Sequence, residues 1–221
     1  MLEFVKGNTK MNFLKKSIKN TFILIFVSII FAGCSGTNKA ALSSSTSTER
    51  SQLTTKQKEA IERGYQIGEY KLLLTNNQKR EEEQIFIENN FFEANFQKKQ
   101  GDIDFSKKIN ILLYALHYSP EDEMYTLGTF LVNTSNITIK KLRLTVTTNF
   151  KNIGDVSPTV LTLAGDDFAE LSPKNFLTLS LSGDAPLDSA DLLMENKGPD
   201  ITFKITDLEI NGEKVDNLNE H

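Results

Sequence analysis

Residues 141–150 read KLRLTVTTNF, and apolar and polar letters alternate through them. Leu142, Leu144, Val146 and Phe150 share one parity, while Lys141, Arg143, Thr145 and Thr147 share the other. An extended chain sends successive side chains to opposite faces, so this stretch is expected to be a strand with one buried and one wet face. FLTLSLS repeats the pattern through Leu177, Leu179 and Leu181, and DITFKI does so through Ile201, Phe203 and Ile205. Asn211-Gly212 divides DLEI from EKVD, the pair of residues that a tight two-residue hairpin favours. That register sets Glu209 opposite Lys214 and Leu208 opposite Val215, both favourable cross-strand pairs. With INILLYALHY and MYTLGTFLVN added, the region 101–221 is expected to form an antiparallel β-sandwich.

The other end of the chain follows a different grammar. Residues 11–20, MNFLKKSIKN, are basic, and residues 21–32, TFILIFVSIIFA, are apolar and uncharged. A membrane span needs about 20 apolar residues, so a basic segment before this shorter run reads as a secretory signal. The only cysteine of the chain follows at once, in Phe31-Ala32-Gly33-Cys34. This motif resembles the lipobox of bacterial lipoproteins, in which Ala or Gly stands before an invariant Cys; Phe31 departs from the usual aliphatic residue at the first position. The resemblance implies cleavage between Gly33 and Cys34, loss of residues 1–33, and diacylglycerol on the Cys34 thiol. Two acyl chains hold a protein on a bilayer where one chain is marginal. The implied location is the extracytoplasmic face of a bacterial membrane, with lipid on Cys34 as the contact.

Residues 34–53 are rich in Ser and Thr and lack apolar periodicity, the composition of a disordered tether. A helical segment of one or two helices is expected over 54–100. Thr54 and Gln57 have capping-box spacing, and Ala60, Ile61, Tyr65 and Leu72 fall near one helical face, with Gly64 and Gly68 beside it. Asn76-Asn77 reads as a break. In REEEQIFIENNFFEANFQKKQG, acids lead and lysines trail, which suits a helix dipole, and Ile85, Phe92 and Phe96 would form the buried stripe. Ile85–Ile87 also admits a strand. The fold class expected overall is mainly β, preceded by this helical segment, which either docks on the sheet or projects as a separate partner-binding arm.

GTFLVNTSNITIKKLRLTV, ELSPKNFLTLSLSG and ITFKITDLEING together are similar to immunoglobulin-like modules of bacterial surface lipoproteins, the FxLYD type among them. The likeness covers residues 105–217. It implies an immunoglobulin-like sandwich that binds or spaces, and it carries no catalytic residues.

Charge and composition narrow the function further. Beyond residue 33 there are 20 basic and 28 acidic residues, and no cluster of Lys and Arg suited to phosphates, which argues against nucleic acid as a partner. His117 lies within an apolar strand, where a structural role is expected, and His221 ends the chain; neither sits in a triad or zinc motif. Glu121, Asp122 and Glu123 in one expected loop, and Asp166, Asp167 and Glu170 in another, are candidate oxygen ligands for calcium. Solvated acidic turns explain the same letters. Asn133-Thr134-Ser135 and Asn136-Ile137-Thr138 match glycosylation sequons but read as turn residues. No cofactor is implied. The reading that unites these features is a lipid-anchored cell-surface binding or accessory protein with a protein partner and no chemistry of its own. Two alternatives are a cell-envelope enzyme acting on glycan through carboxylates such as Glu121, Asp167 and Glu170, and a small-ligand or metal receptor linked to transport.

Overall fold

The computed structural model describes residues 54–80, 90–165, 169–185, 189–195 and 198–219. The chain runs through helix α1 (Thr55–Arg63), strands β1 (Tyr65–Ile67) and β2 (Tyr70–Leu73), and helices α2 (Asn76–Arg80) and α3 (Phe91–Lys99). Strands β3 (Ile109–Ser119), β4 (Met124–Asn133), β5 (Leu142–Phe150), β6 (Gly154–Asp155), β7 (Thr159–Leu163) and β8 (Asn175–Asp184) follow. Helix α4 (Ala190–Glu195), β9 (Ile201–Ile210) and β10 (Glu213–Lys214) complete the order.

The alternating segments are strands, and they form two sheets. One sheet has the order β1-β2-β8-β4-β3; the other has the order β10-β9-β5-β6, with β7 also paired to β5. Leu142, Leu144, Val146 and Phe150 are all buried, as their parity requires. They meet Leu127, Leu131, Leu177 and Leu181 of the first sheet, and Ile201, Leu208 and Ile210 join them in one core between the sheets. The molecule is a mainly β protein built as a β-sandwich. Every pairing between strands is antiparallel except β2 with β8, where Leu72 lies beside Phe176 in a parallel register.

The Asn-Gly hairpin has the expected register, with Glu209 opposite Lys214. Asn211 and Gly212 both have positive φ, 55° and 91°, the pair of values a type I′ turn needs. The Asn133 side chain closes the turn after β4, donating 2.8 Å bonds to the Ile137 and Leu171 carbonyls and accepting from the Ser135 N–H. Asn133 is fully buried, so this sequon is a turn device.

A second core lies on the other face of the first sheet. Phe92 and Phe96 of α3 pack on Phe130, Phe176, Leu112 and Val132. The Phe96 and Phe176 rings stack at 3.9 Å, and Phe130 meets both edge-on. The expected stripe through Phe92 and Phe96 is therefore a docked helix face; Ile85, its third member, lies outside the described residues.

The expected helix through Tyr65 and Leu72 is corrected. It ends at Arg63, and Tyr65–Leu73 is a hairpin whose second strand joins β8. Gly64 and Gly68 are the cause: both occupy the left-handed region, φ 86° and 59°, one ending the helix and the other turning the hairpin. Tyr65 and Leu72, read as neighbours on a helix, are instead cross-strand partners. Asn76 likewise begins a helix where a break was expected. Thr75 and Gln78 exchange bonds as a capping box, with Thr75 N–H to Gln78 Oε1 at 2.8 Å and Gln78 N–H to Thr75 Oγ1 at 3.2 Å. Among the described residues, no helix is long and apolar enough to cross a membrane.

Candidate functional site

A sandwich closes its faces but leaves its lateral edges, and two of those edges face one another here. β3 ends the first sheet, while among the described residues β9 is paired on its outer edge only at its far end, where Ile210 and Glu209 pair with β10. Between them lies a cleft of about 760 Å³. That volume is in the range of ligand-binding cavities. One wall is Ile109, Ile111 and Leu113; the other is Ile201, Phe203 and Ile205. Ile111, Phe203 and Ile205 are only partly buried, although they belong to the face that packs into the core. The inner apolar face is thus open to solvent along this side.

The main-chain groups at the two edges are determined by their neighbours. The Asn217 side chain takes both groups of Ile109: the Ile109 N–H donates to Asn217 Oδ1 at 2.8 Å, and Asn217 Nδ2 donates to the Ile109 carbonyl at 3.0 Å. Ile109 therefore turns its amide away from β4. Alternation sends those of Ile111 and Leu113 the same way, up to the bulge between Leu113 and Ala115. On the other wall, Val156 N–H donates to the Thr148 carbonyl at 3.0 Å, so Thr147 and Asn149 direct their groups toward β9, where Lys204 and Thr202 lie opposite. Ile201, Phe203 and Ile205 then direct theirs outward, into the cleft.

The ends and the rim are polar. The turn Gly198–Asp200 with Lys99 bounds one end, and Asp216–Leu218 bounds the other. Lys108 holds that second boundary by donating to the Asp216 and Leu218 carbonyls. Asn219 Nδ2 adds bonds to the carbonyls of Phe105 at 2.9 Å and Lys107 at 2.7 Å. On the rim, Lys99 pairs with Asp102 at 3.5 Å and Lys107 with Asp104 at 3.2 Å. The Ser106 hydroxyl, at 2.6 Å, and then Lys107 hold the Asp104 carboxyl below its ordinary value. Lys204 is exposed and forms no ion pair among the described residues. Such a site can bind by shape and main-chain hydrogen bonding.

The residues singled out in the sequence lie elsewhere. Glu121, Asp122 and Glu123 are exposed in the turn between β3 and β4, where Asp122 accepts from the Ser119 hydroxyl at 3.0 Å and the Glu123 carbonyl accepts from Ala185 N–H. Glu170 is exposed beside a smaller hollow that includes Arg63, Lys71 and Lys79. Glu121 and Glu170 are thus on different features, and the structure does not bring them together. Among the described residues, no three His, Cys, Asp or Glu side chains form a group able to hold a metal ion. Gly33, Cys34, Asp166, Asp167 and His221 lie outside the described residues. His117 is in β3 opposite Thr126, and its side chain is exposed.

Sequence reasoning assigned the cleft walls to strands but not to a site. The available signal was the segment INILLYALHY, whose apolar residues break strict alternation. Asn217 had no sequence signal at all. No family model, no curated protein and no solved structure matches the chain.

Proposed function

We propose that this chain is a lipid-anchored binding or accessory protein of a bacterial cell surface, held to the extracytoplasmic face of the membrane through Cys34. The cleft between β3 and β9 is the observation that carries the binding half of this reading: it is large, apolar along its walls, polar at its rim, and bordered by the edge of β3, capped at Ile109 by Asn217, and by the part of β9 that β10 leaves unpaired. The lipobox resemblance at Phe31-Ala32-Gly33-Cys34 supports the anchor. A sandwich of this kind is also in keeping with the immunoglobulin-like modules that the C-terminal region resembles. Its work is recognition, with the fold supplying a rigid frame and the partner supplying any chemistry.

Crosslinking in intact cells tests the reading. The full chain serves as bait, with Cys34→Ala as the unanchored control and Ile205→Glu as the cleft control. The expected result is a surface protein enriched by the anchored chain and lost with either substitution. Equal recovery by all three baits would count against an accessory role.

A further inference from the structure

We infer that the cleft binds an extended segment of another polypeptide, added as a strand to the edge of β9 that the described residues leave unpaired from Ile201 to Ile205. The inference rests on the binding reading above and names the kind of partner. The site's chemistry is what a strand requires and a compact ligand does not. Ile201, Phe203 and Ile205 present three successive pairs of main-chain donors and acceptors along one line. At about 3.3 Å per residue, the edge from Ile201 to Ile205 accommodates some five residues of extended chain. An edge of this sort is a template for strand addition, in which main-chain bonds give affinity and alternate side chains give specificity.

The neighbouring groups state which side chains that segment carries. Its inward residues enter the space between Phe203 and Ile205 on one wall and Ile111 and Leu113 on the other, so they are apolar. Its outward residues lie next to Thr202, Lys204 and Thr206 on the wet face of β9. Lys204 has no ionic partner among the described residues, and opposite charges are favourable across adjacent strands. The segment is therefore alternating and apolar on its inner parity, with Asp or Glu beside Lys204 and Ser or Thr beside the threonines. The molecule already shows this mode in miniature on the facing edge, where the Asn217 amide satisfies both main-chain groups of Ile109.

The test selects a library of displayed random dodecapeptides against the full chain in detergent solution. Enriched peptides are expected to alternate apolar and polar residues with an acid on the polar parity. N-methylation of the amides on the pairing edge of the best peptide should weaken binding at least tenfold, while methylation on the other edge should leave it within twofold. That control needs no protein variant. Ile205→Glu should also weaken binding at least tenfold with an unchanged circular dichroism spectrum, and Lys204→Glu should reverse the preference for an acid. In the free protein, the Phe203 and Ile205 amides should exchange with deuterium quickly, and bound peptide should slow them.

Equal effects of the two methylations would overturn the inference, and so would binding that Ile205→Glu does not alter. A dimer whose formation alone protects the Phe203 and Ile205 amides would assign the edge to a second copy, and that too would overturn it. Failure to enrich any peptide, with a surface partner still captured through the cleft in cells, would remove the strand inference and leave the binding reading. Failure of both would remove both.

Discussion

Asp104 shows how the cleft rim is held by single residues. Its Oδ1 accepts from both the N–H and the hydroxyl of Ser106, at 3.0 Å and 2.6 Å, and its Oδ2 pairs with Lys107. These contacts favour the charged carboxylate, so its pKa in the folded chain lies below the ordinary 3.8. A lowered folded pKa contributes stability above the ordinary carboxylate range, and that contribution is lost as pH falls through the lowered value. Ser106→Ala removes the largest cause, so the Asp104 carboxyl should titrate closer to 3.8. Carbon-detected NMR titration of that carboxyl in the two proteins checks this; an unchanged midpoint would mean that Lys107 and the residue-106 N–H set it without the hydroxyl. Nothing in the local sequence DFSKK reveals the effect beyond Asx-turn spacing, because the Lys107 contact depends on how the loop before β3 is folded.

At the scale of elements, α3 joins the second core through two rings. Phe96 is fully buried and stacked on Phe176, with Phe130 edge-on to both. Phe96→Ala empties this space, and such truncations cost about 3–5 kcal/mol. Chemical denaturation should show that loss as a shift in midpoint at constant slope. A cost below about 1 kcal/mol would mean that α3 contributes little to the folded body. The stripe Phe92 and Phe96 was legible, since helical spacing alone brings the two rings to one face. The hairpin β1–β2 was not. Tyr65 and Leu72 lie seven residues apart, which suits two helical turns and equally suits a cross-strand pair. Gly64 and Gly68 decide between them through their positive φ, and a helical reading takes the same glycines as mere weaknesses.

For the whole molecule, the anchor and the cleft make separable predictions. Cys34→Ala should move the protein from the membrane pellet to the soluble fraction on cell fractionation, with the melting temperature of the folded body unchanged; persistence in the pellet would count against lipid at Cys34. The sandwich itself was written in the sequence, because period-two alternation requires an extended chain with one buried face, and the Asn-Gly turn sets the register of β9 and β10 on local grounds. Alternation also placed Ile201, Phe203 and Ile205 on an inner face. It could not show that this face is left open, since local pattern is the same for a strand in the middle of a sheet and one at its edge. Only the tertiary structure decided that the edge of β3 and the part of β9 beyond β10 line one cleft, that Asn217 returns from 108 residues away to bond Ile109, and that β2 runs parallel to β8. Those facts are matters of strand order and long-range pairing, which depend on how distant segments meet and leave no periodic trace in the chain.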